Sequence, residues 1–137
     1  MKLLIINGAN LNLLGSRQPE IYGTESFDTI LESLRKRYPQ VEIDYFQSNI
    51  EGEIVDRLQL ADHHCDGIIL NAGGYTHTSV VITDAVAAIA VPVVEVHLSS
   101  ILSREMFRSV SLIAPVARGT IMGFGAESYR LAVESFL

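Results

Sequence analysis

The sequence predicts a doubly wound α/β fold, a five-stranded parallel sheet covered by helices on both faces. Two observations carry this. Short, nearly continuous apolar runs, as expected of strands buried on both sides, alternate along the chain with longer segments of helical period. Polar residues then gather directly after those runs, at the ends where such sheets bind ligands. The chain has 137 residues and no linker, repeat or biased tract, which suits a single domain spanning 1–137.

Taken in order, Leu3-Leu4-Ile5-Ile6, ended by Asn7-Gly8, reads as a buried strand. A long polar stretch runs from Gly8 to Gly23. Thr24 to Arg37 then places Phe27, Ile30, Leu31 and Leu34 at helical spacing. Glu25 and Asp28 fall in its first turn and Arg35, Lys36 and Arg37 in its last, as the helix dipole favours. Pro39 stops it. Val41, Ile43 and Tyr45 alternate with Glu42 and Asp44, as in a strand. Ser48 and Glu51 have capping-box spacing and open a helix carrying Ile50, Ile54, Val55, Leu58 and Ala61. Gly67-Ile68-Ile69-Leu70, ended by Asn71, is a third strand, Thr76 to Ala90 a third helix, and Pro92 to Val96 a fourth strand. In the polar segment from His97 to Ser109, a helix would set Arg104 and Arg108 on one face. A fifth strand falls within Ser111 to Gly125, and a last helix runs from Ala126 to Phe136. At this length the alternation predicts the flavodoxin-like strand order 2-1-3-4-5, with ligands bound near the switch point between strands 1 and 3.

Composition narrows the function. Ten Lys and Arg against sixteen Asp and Glu leave a net charge of -6, which argues against nucleic acid or an anionic membrane surface as partner. The longest apolar run, Ala85 to Val94, is too short to cross a bilayer and contains Pro92. The N-terminal apolar run is too short for a signal-peptide core, and the single cysteine, Cys65, excludes an internal disulfide framework; both fit a cytoplasmic location. A mean hydropathy of +0.27 suggests apolar surface buried between subunits. No GxxxxGK[ST] and no GxGxxG after the first strand is present, so nucleotide binding has little support. No zinc-like ligand spacing occurs, and no metal is expected.

Three strand ends hold the candidate chemistry: Asn7, Asn10, Asn12, Arg17 and Tyr22 after the first, Asn71, Tyr75, Thr76 and His77 after the third, and Glu95, His97, Ser99 and Ser100 around the fourth. A tyrosine beside a guanidinium can act as a phenolate base, and a histidine can protonate a leaving hydroxyl. Amides can hold a water or an enolate oxygen. Such a set suits proton abstraction next to a carbonyl followed by loss of water. Each residue alone also has an ordinary reading: Tyr22 as a packing tyrosine, Arg17 as a solvated one, the asparagines as turn residues, His97 as a satisfied structural histidine. Their convergence on three strand ends favours a site.

The same residues carry a resemblance. Asn7-Gly8-Ala9-Asn10-Leu11-Asn12-Leu13-Leu14-Gly15 with Arg17, Pro19, Glu20, Tyr22 and Gly23 resembles the opening of type II 3-dehydroquinate dehydratases. Asn71 to Ser79 is similar to their second signature, and Glu95-Val96-His97-Leu98-Ser99 with Arg104-Glu105 and Phe107-Arg108 to their third. Gly119 to Gly125 followed by Tyr129 resembles their ending. Ala9 stands where the family usually has Pro, and Ser100 where it usually has Asn. The resemblance implies a flavodoxin-like catalytic domain, assembled as a homododecamer (a tetramer of trimers). The implied reaction is dehydration of 3-dehydroquinate to 3-dehydroshikimate, a shikimate-pathway step, without metal, cofactor or Schiff-base lysine. It further implies that Tyr22 is the base, that Arg17 holds it as phenolate, and that Asn10 orients a water on the enolate oxygen. His97 would be the acid, with Glu95 orienting it. Asn71 and His77 would bind hydroxyls, Leu98 and Ser99 the carboxylate, and Arg108 would anchor the substrate. Asp84 would enter from a neighbouring subunit.

Overall fold

In the computed structural model, every residue is described except Arg17 and Gly23; for Pro19 and Tyr22 only the backbone is. Five strands form one sheet: β1 (Lys2–Asn7), β2 (Glu42–Gln47), β3 (Gly67–Asn71), β4 (Val93–His97) and β5 (Gly119–Met122). All neighbouring pairs are parallel, and the order is β2-β1-β3-β4-β5, as the alternation predicts. The helices are α1 (Pro19–Tyr22), α2 (Phe27–Arg37), α3 (Glu51–Ala61), α4 (Val80–Ala88) and α5 (Glu127–Glu134).

The period of two along each strand divides the core into two layers. Leu3 and Ile5 of β1 face one way with Ile69 and Val94, against Ile30, Leu31 and Leu34 of α2 and Tyr129, Ala132 and Val133 of α5. Leu4 and Ile6 face the other way with Ile68 and Leu70, against Ile54 and Leu58 of α3 and Ile82 and Val86 of α4. Strands buried on both sides must be apolar throughout, which is why β1 and β3 read as unbroken runs.

Several local expectations are corrected. Helix α2 starts at Phe27, because the Ser26 hydroxyl accepts the Thr29 N–H and caps it there; Glu25 therefore lies before the helix. Ser48 and Glu51 form no capping box. The Ser48 hydroxyl instead accepts from the Ile50 N–H and donates to Glu53, and the helix N-cap is Ile50, an exposed residue. The third helix does not begin at Thr76: Gly73–His77 is a 3-10 turn, and Ser79, whose hydroxyl accepts from the Ile82 N–H, opens α4. Between β4 and β5 there is no α-helix among the described residues. Short 3-10 turns at Ile101–Ser103, Met106–Arg108 and Ala114–Val116 carry the chain instead.

These departures share a location. The turns at 73–77, 101–103 and 106–108 all lie on the carboxyl side of the sheet, where the chain must return around a cavity rather than pack on a flat face. Asn7 and Asn71 are register partners at the ends of β1 and β3, so the two asparagine-terminated strands finish side by side.

Candidate active site

A cavity of about 300 Å³ opens at that end of the sheet. Its walls come from the loop after β1 (Ala9, Asn10), the turn after β3 (Gly73, Gly74, His77) and the segment after β4 (Leu98, Ser99, Arg104, Arg108), with Asn71 and His97 at strand ends. Seven residues singled out in the sequence thus converge: Asn10, Asn71, His77, His97, Leu98, Ser99 and Arg108.

The loops that build it are tightly braced. The Gly8 N–H donates to the Asn71 carbonyl at 2.7 Å. A Cβ on Gly8 would lie 2.3 Å from the carbonyl oxygen of Ala72, so only glycine lets the β1 and β3 loops approach this closely. Asn10 has a left-handed backbone (φ 70), and its N–H donates to Asn49 Oδ1 at 2.9 Å. Gln47 Nε2 donates to the Gly8 carbonyl, and the Tyr75 hydroxyl donates to the Asn49 carbonyl. The loop after β2 therefore buttresses the wall that carries Asn10.

Beneath the cavity lies a buried polar chain. The Tyr129 hydroxyl donates to Asn7 Oδ1 at 2.7 Å and accepts from Asn71 Nδ2 at 2.9 Å. Asn71 Oδ1 in turn accepts the Gly73 N–H at 3.2 Å. Asn71 is thereby held in one orientation from below, with one amide proton and one lone pair left over. Tyr129 is fully buried, and desolvation pushes its phenol well above the usual value despite hydrogen bonds from Asn71 and to Asn7, so it remains a neutral donor.

At the end of β4, His97 Nε2 donates to Glu95 Oε2 at 2.8 Å. Two residues apart on one strand, their side chains share a face. Glu95 is completely buried and His97 is 7% exposed. Burial pulls the Glu95 carboxyl up, but the hydrogen bonds from His97 and Ser111, the charge of His97 and the hydrogen bond from Thr120 together outweigh it. The carboxyl is held below its ordinary value. A buried carboxylate facing Nε2 selects the tautomer with its proton there and leaves Nδ1 for the cavity.

His77 Nδ1 bonds to the Val110 carbonyl at 2.7 Å, which makes Nδ1 the donor and leaves Nε2 available to a ligand. Arg108 Nε donates to Glu105 at 2.5 Å while its guanidinium lies 4.8 Å from the Phe107 ring centre. Arg104, which the helical reading set beside Arg108, reaches the same cavity without a helix.

The described lining of the cavity leaves out four expected residues. Arg17 lies outside the described residues, and so does the side chain of Tyr22, whose backbone closes α1. Asp84 is exposed on α4 and does not line the cavity of its own chain. Glu95 acts from behind His97 rather than at the cavity wall. The sequence reading did not single out Ser111 and Thr120, which bond to Glu95 from 16 and 25 residues away, or the role of Tyr129. No spacing rule connects such distant positions; the β4–β5 register does, by setting Thr120 opposite Glu95. Among the described residues no three His, Cys, Asp or Glu side chains gather as metal ligands would.

Comparisons with known proteins agree with this architecture. The sequence model of the family described as dehydroquinase class II matches residues 1–137. A 3-dehydroquinate dehydratase of Campylobacter jejuni subsp. jejuni is 54% identical over 135 residues, covering 97% of this chain and 85% of that protein. One from Geotalea daltonii is 52% identical over 137 residues, covering 98% and 95%. The crystal structure of type II dehydroquinase from Butyrivibrio crossotus superposes with a TM-score of 0.96 at 40% identity, covering 99% of this chain and 97% of that one.

Proposed function

The chain belongs to the class II dehydroquinase family and dehydrates 3-dehydroquinate to 3-dehydroshikimate, and from that premise we propose how its residues divide the work. The observation that carries the reading is the buried His97–Glu95 pair at the edge of the cavity.

The reaction needs a proton removed from the carbon next to a ketone and a hydroxyl expelled from the carbon beyond it. Tyr22, as a phenolate held by Arg17, takes the proton, and the electron pair moves to the ketone oxygen as an enolate. A water oriented by Asn10 stabilises that oxygen. The enolate then collapses, the C–O bond breaks, and the departing hydroxyl takes a proton from Nδ1 of His97 and leaves as water. Glu95 balances the imidazolium that gives up this proton and keeps the ring in place. The elimination is anti, and it uses no metal or cofactor.

Binding follows from the other walls. The remaining amide proton of Asn71 and the free Nε2 of His77 suit substrate hydroxyls. The backbone N–H of Leu98 and the Ser99 hydroxyl suit the carboxylate, and Arg108 anchors it by charge. The whole chain is one catalytic domain. It works as a homo-oligomer, a dodecamer built from trimers, in the cytoplasm. Asp84 of a neighbouring copy completes the pocket. Met106, Phe107 and Val110, all more than half exposed, support the presence of such a copy. No described helix is long and apolar enough to cross a membrane.

The test is turnover of 3-dehydroquinate, followed by the ultraviolet absorbance of the conjugated product. Tyr22→Phe and His97→Ala should each lower kcat by roughly 10²–10⁴-fold, with unchanged circular dichroism. Near-normal turnover by either variant refutes its assigned role.

A further inference from the structure

We propose that Ser111 and Thr120 are positioning residues of this site: their hydroxyls hold Glu95 as a proton-free acceptor and thereby fix the His97 ring with Nε2 inward and Nδ1 toward the substrate. The inference rests on the reading of His97 as the acid.

The direction of each hydrogen bond is determined by its surroundings. The Ser111 hydroxyl oxygen accepts the N–H groups of Ile113 at 3.2 Å and Ala114 at 2.9 Å. Its single proton is therefore free to go to Glu95 Oε2, 2.5 Å away. Thr120 comes from the opposite direction. It is the β5 register partner of Glu95, and its hydroxyl donates to Oε1 at 2.9 Å. With His97 Nε2, the carboxylate receives three donors, two on the oxygen that faces His97 and one on the other. A proton placed on Glu95 would confront groups that already donate.

Among the described residues, its register partners in the sheet bring no other charge to this carboxylate. On β3 its register partner is Leu70, and on β5 it is Thr120. Among the described residues, the other charged or titratable groups lining the cavity with His97 are His77, Arg104 and Arg108. Ser111 and Thr120 thus set how much of the Glu95 charge remains to hold the imidazolium proton. Two neutral donors spread that charge over hydroxyls and fix both carboxylate oxygens, so the His97 ring meets a single acceptor geometry.

A purely structural role for Ser111, as the cap of the 113–114 turn, predicts something different. It would lower stability and leave the chemistry alone. Thr120 caps no turn, so Thr120→Val, which keeps the shape and removes the donor, separates the two.

The experiment measures kcat and KM for 3-dehydroquinate across pH with the full chain, for Ser111→Ala, Ser111→Thr, Thr120→Val and His97→Ala. With either donor lost, kcat should fall roughly tenfold, the worth of one hydrogen bond to a charged group, while KM changes little. The alkaline limb of the kcat profile should also move, because one of the donors that hold Glu95 against His97 is gone. Ser111→Thr, which keeps the hydroxyl, should restore both toward the unsubstituted enzyme. If Ser111→Ala and Thr120→Val retain the original kcat and the original limb while His97→Ala is inactive, the positioning role is wrong and the acid assignment stands. If His97→Ala itself turns over normally, the acid assignment has failed and the inference falls with it.

Discussion

Replacing Tyr129 with Phe removes one oxygen atom from the point where β1, β3 and α5 meet. The ring stays: its edge-on packing against Phe27, with centroids 5.0 Å apart, and its burial in the core are unchanged. What is lost is the donor to Asn7 Oδ1 and the acceptor for Asn71 Nδ2. Both asparagines are buried, at 0% and 3% exposure, so water reaches neither side of the gap easily. Each stranded polar group costs about 1–3 kcal/mol. Asn7 keeps only a long 3.5 Å contact to the Tyr45 hydroxyl, and Asn71 keeps the Gly73 N–H. The variant should therefore lose about 2–4 kcal/mol. For a chain of this length, about 3–4 °C per kcal/mol makes this roughly 6–16 °C in Tm. Urea unfolding and calorimetry at matched protein concentration measure it. KM should also rise, because Asn71 is no longer held from below. A loss under about 0.5 kcal/mol would refute the claim that this chain of hydrogen bonds braces the floor of the site.

Two further outcomes follow from the same geometry. Gly8→Ala should destabilise by about 2–3 kcal/mol and abolish most activity, since its Cβ meets backbone at Ala72 rather than a side chain that could turn aside; Gly52→Ala, whose Cβ meets nothing, should be neutral or slightly stabilising in the same urea titration. Glu95 is held below its ordinary value when folded, so its contribution to stability is complete above the unfolded value near 4.5 and is lost as pH falls through the folded one; the urea midpoint should drop on acidification, and Glu95→Gln should flatten that drop, whereas an equally steep profile in the variant would refute it.

The parts of the fold that were legible in the amino-acid order are those governed by period and burial. Leu3–Ile6 and Ile68–Leu70 are apolar at every position because helices cover both faces of β1 and β3, and that pattern is visible without coordinates. The strand order followed from the alternation with helices, and the site's location from the polar residues after each strand. The three-motif resemblance then identified the chemistry. What failed were the segments shaped by the cavity. Thr76 to Ala90 has helical composition throughout, yet the chain spends Gly73–His77 in a 3-10 turn before Ser79 caps α4. Arg104 and Arg108 needed no helix to meet in one cavity.

Local order along the chain carries propensity, period and short motifs, and these were enough to place four strands, a fifth within Ser111 to Gly125, the side of the sheet that reacts, and Glu95 and His97 together around the end of the fourth strand. The partners of that pair belong to the folded state. Ser111 and Thr120 reach Glu95, and Tyr129 joins Asn7 to Asn71, only because the β4–β5 register, the loop before β5 and the packing of α5 on the sheet bring together positions separated by 16 to 122 residues. A hydrogen bond depends on distance and direction in space, and sequence spacing defines those within one helix or strand but not between them.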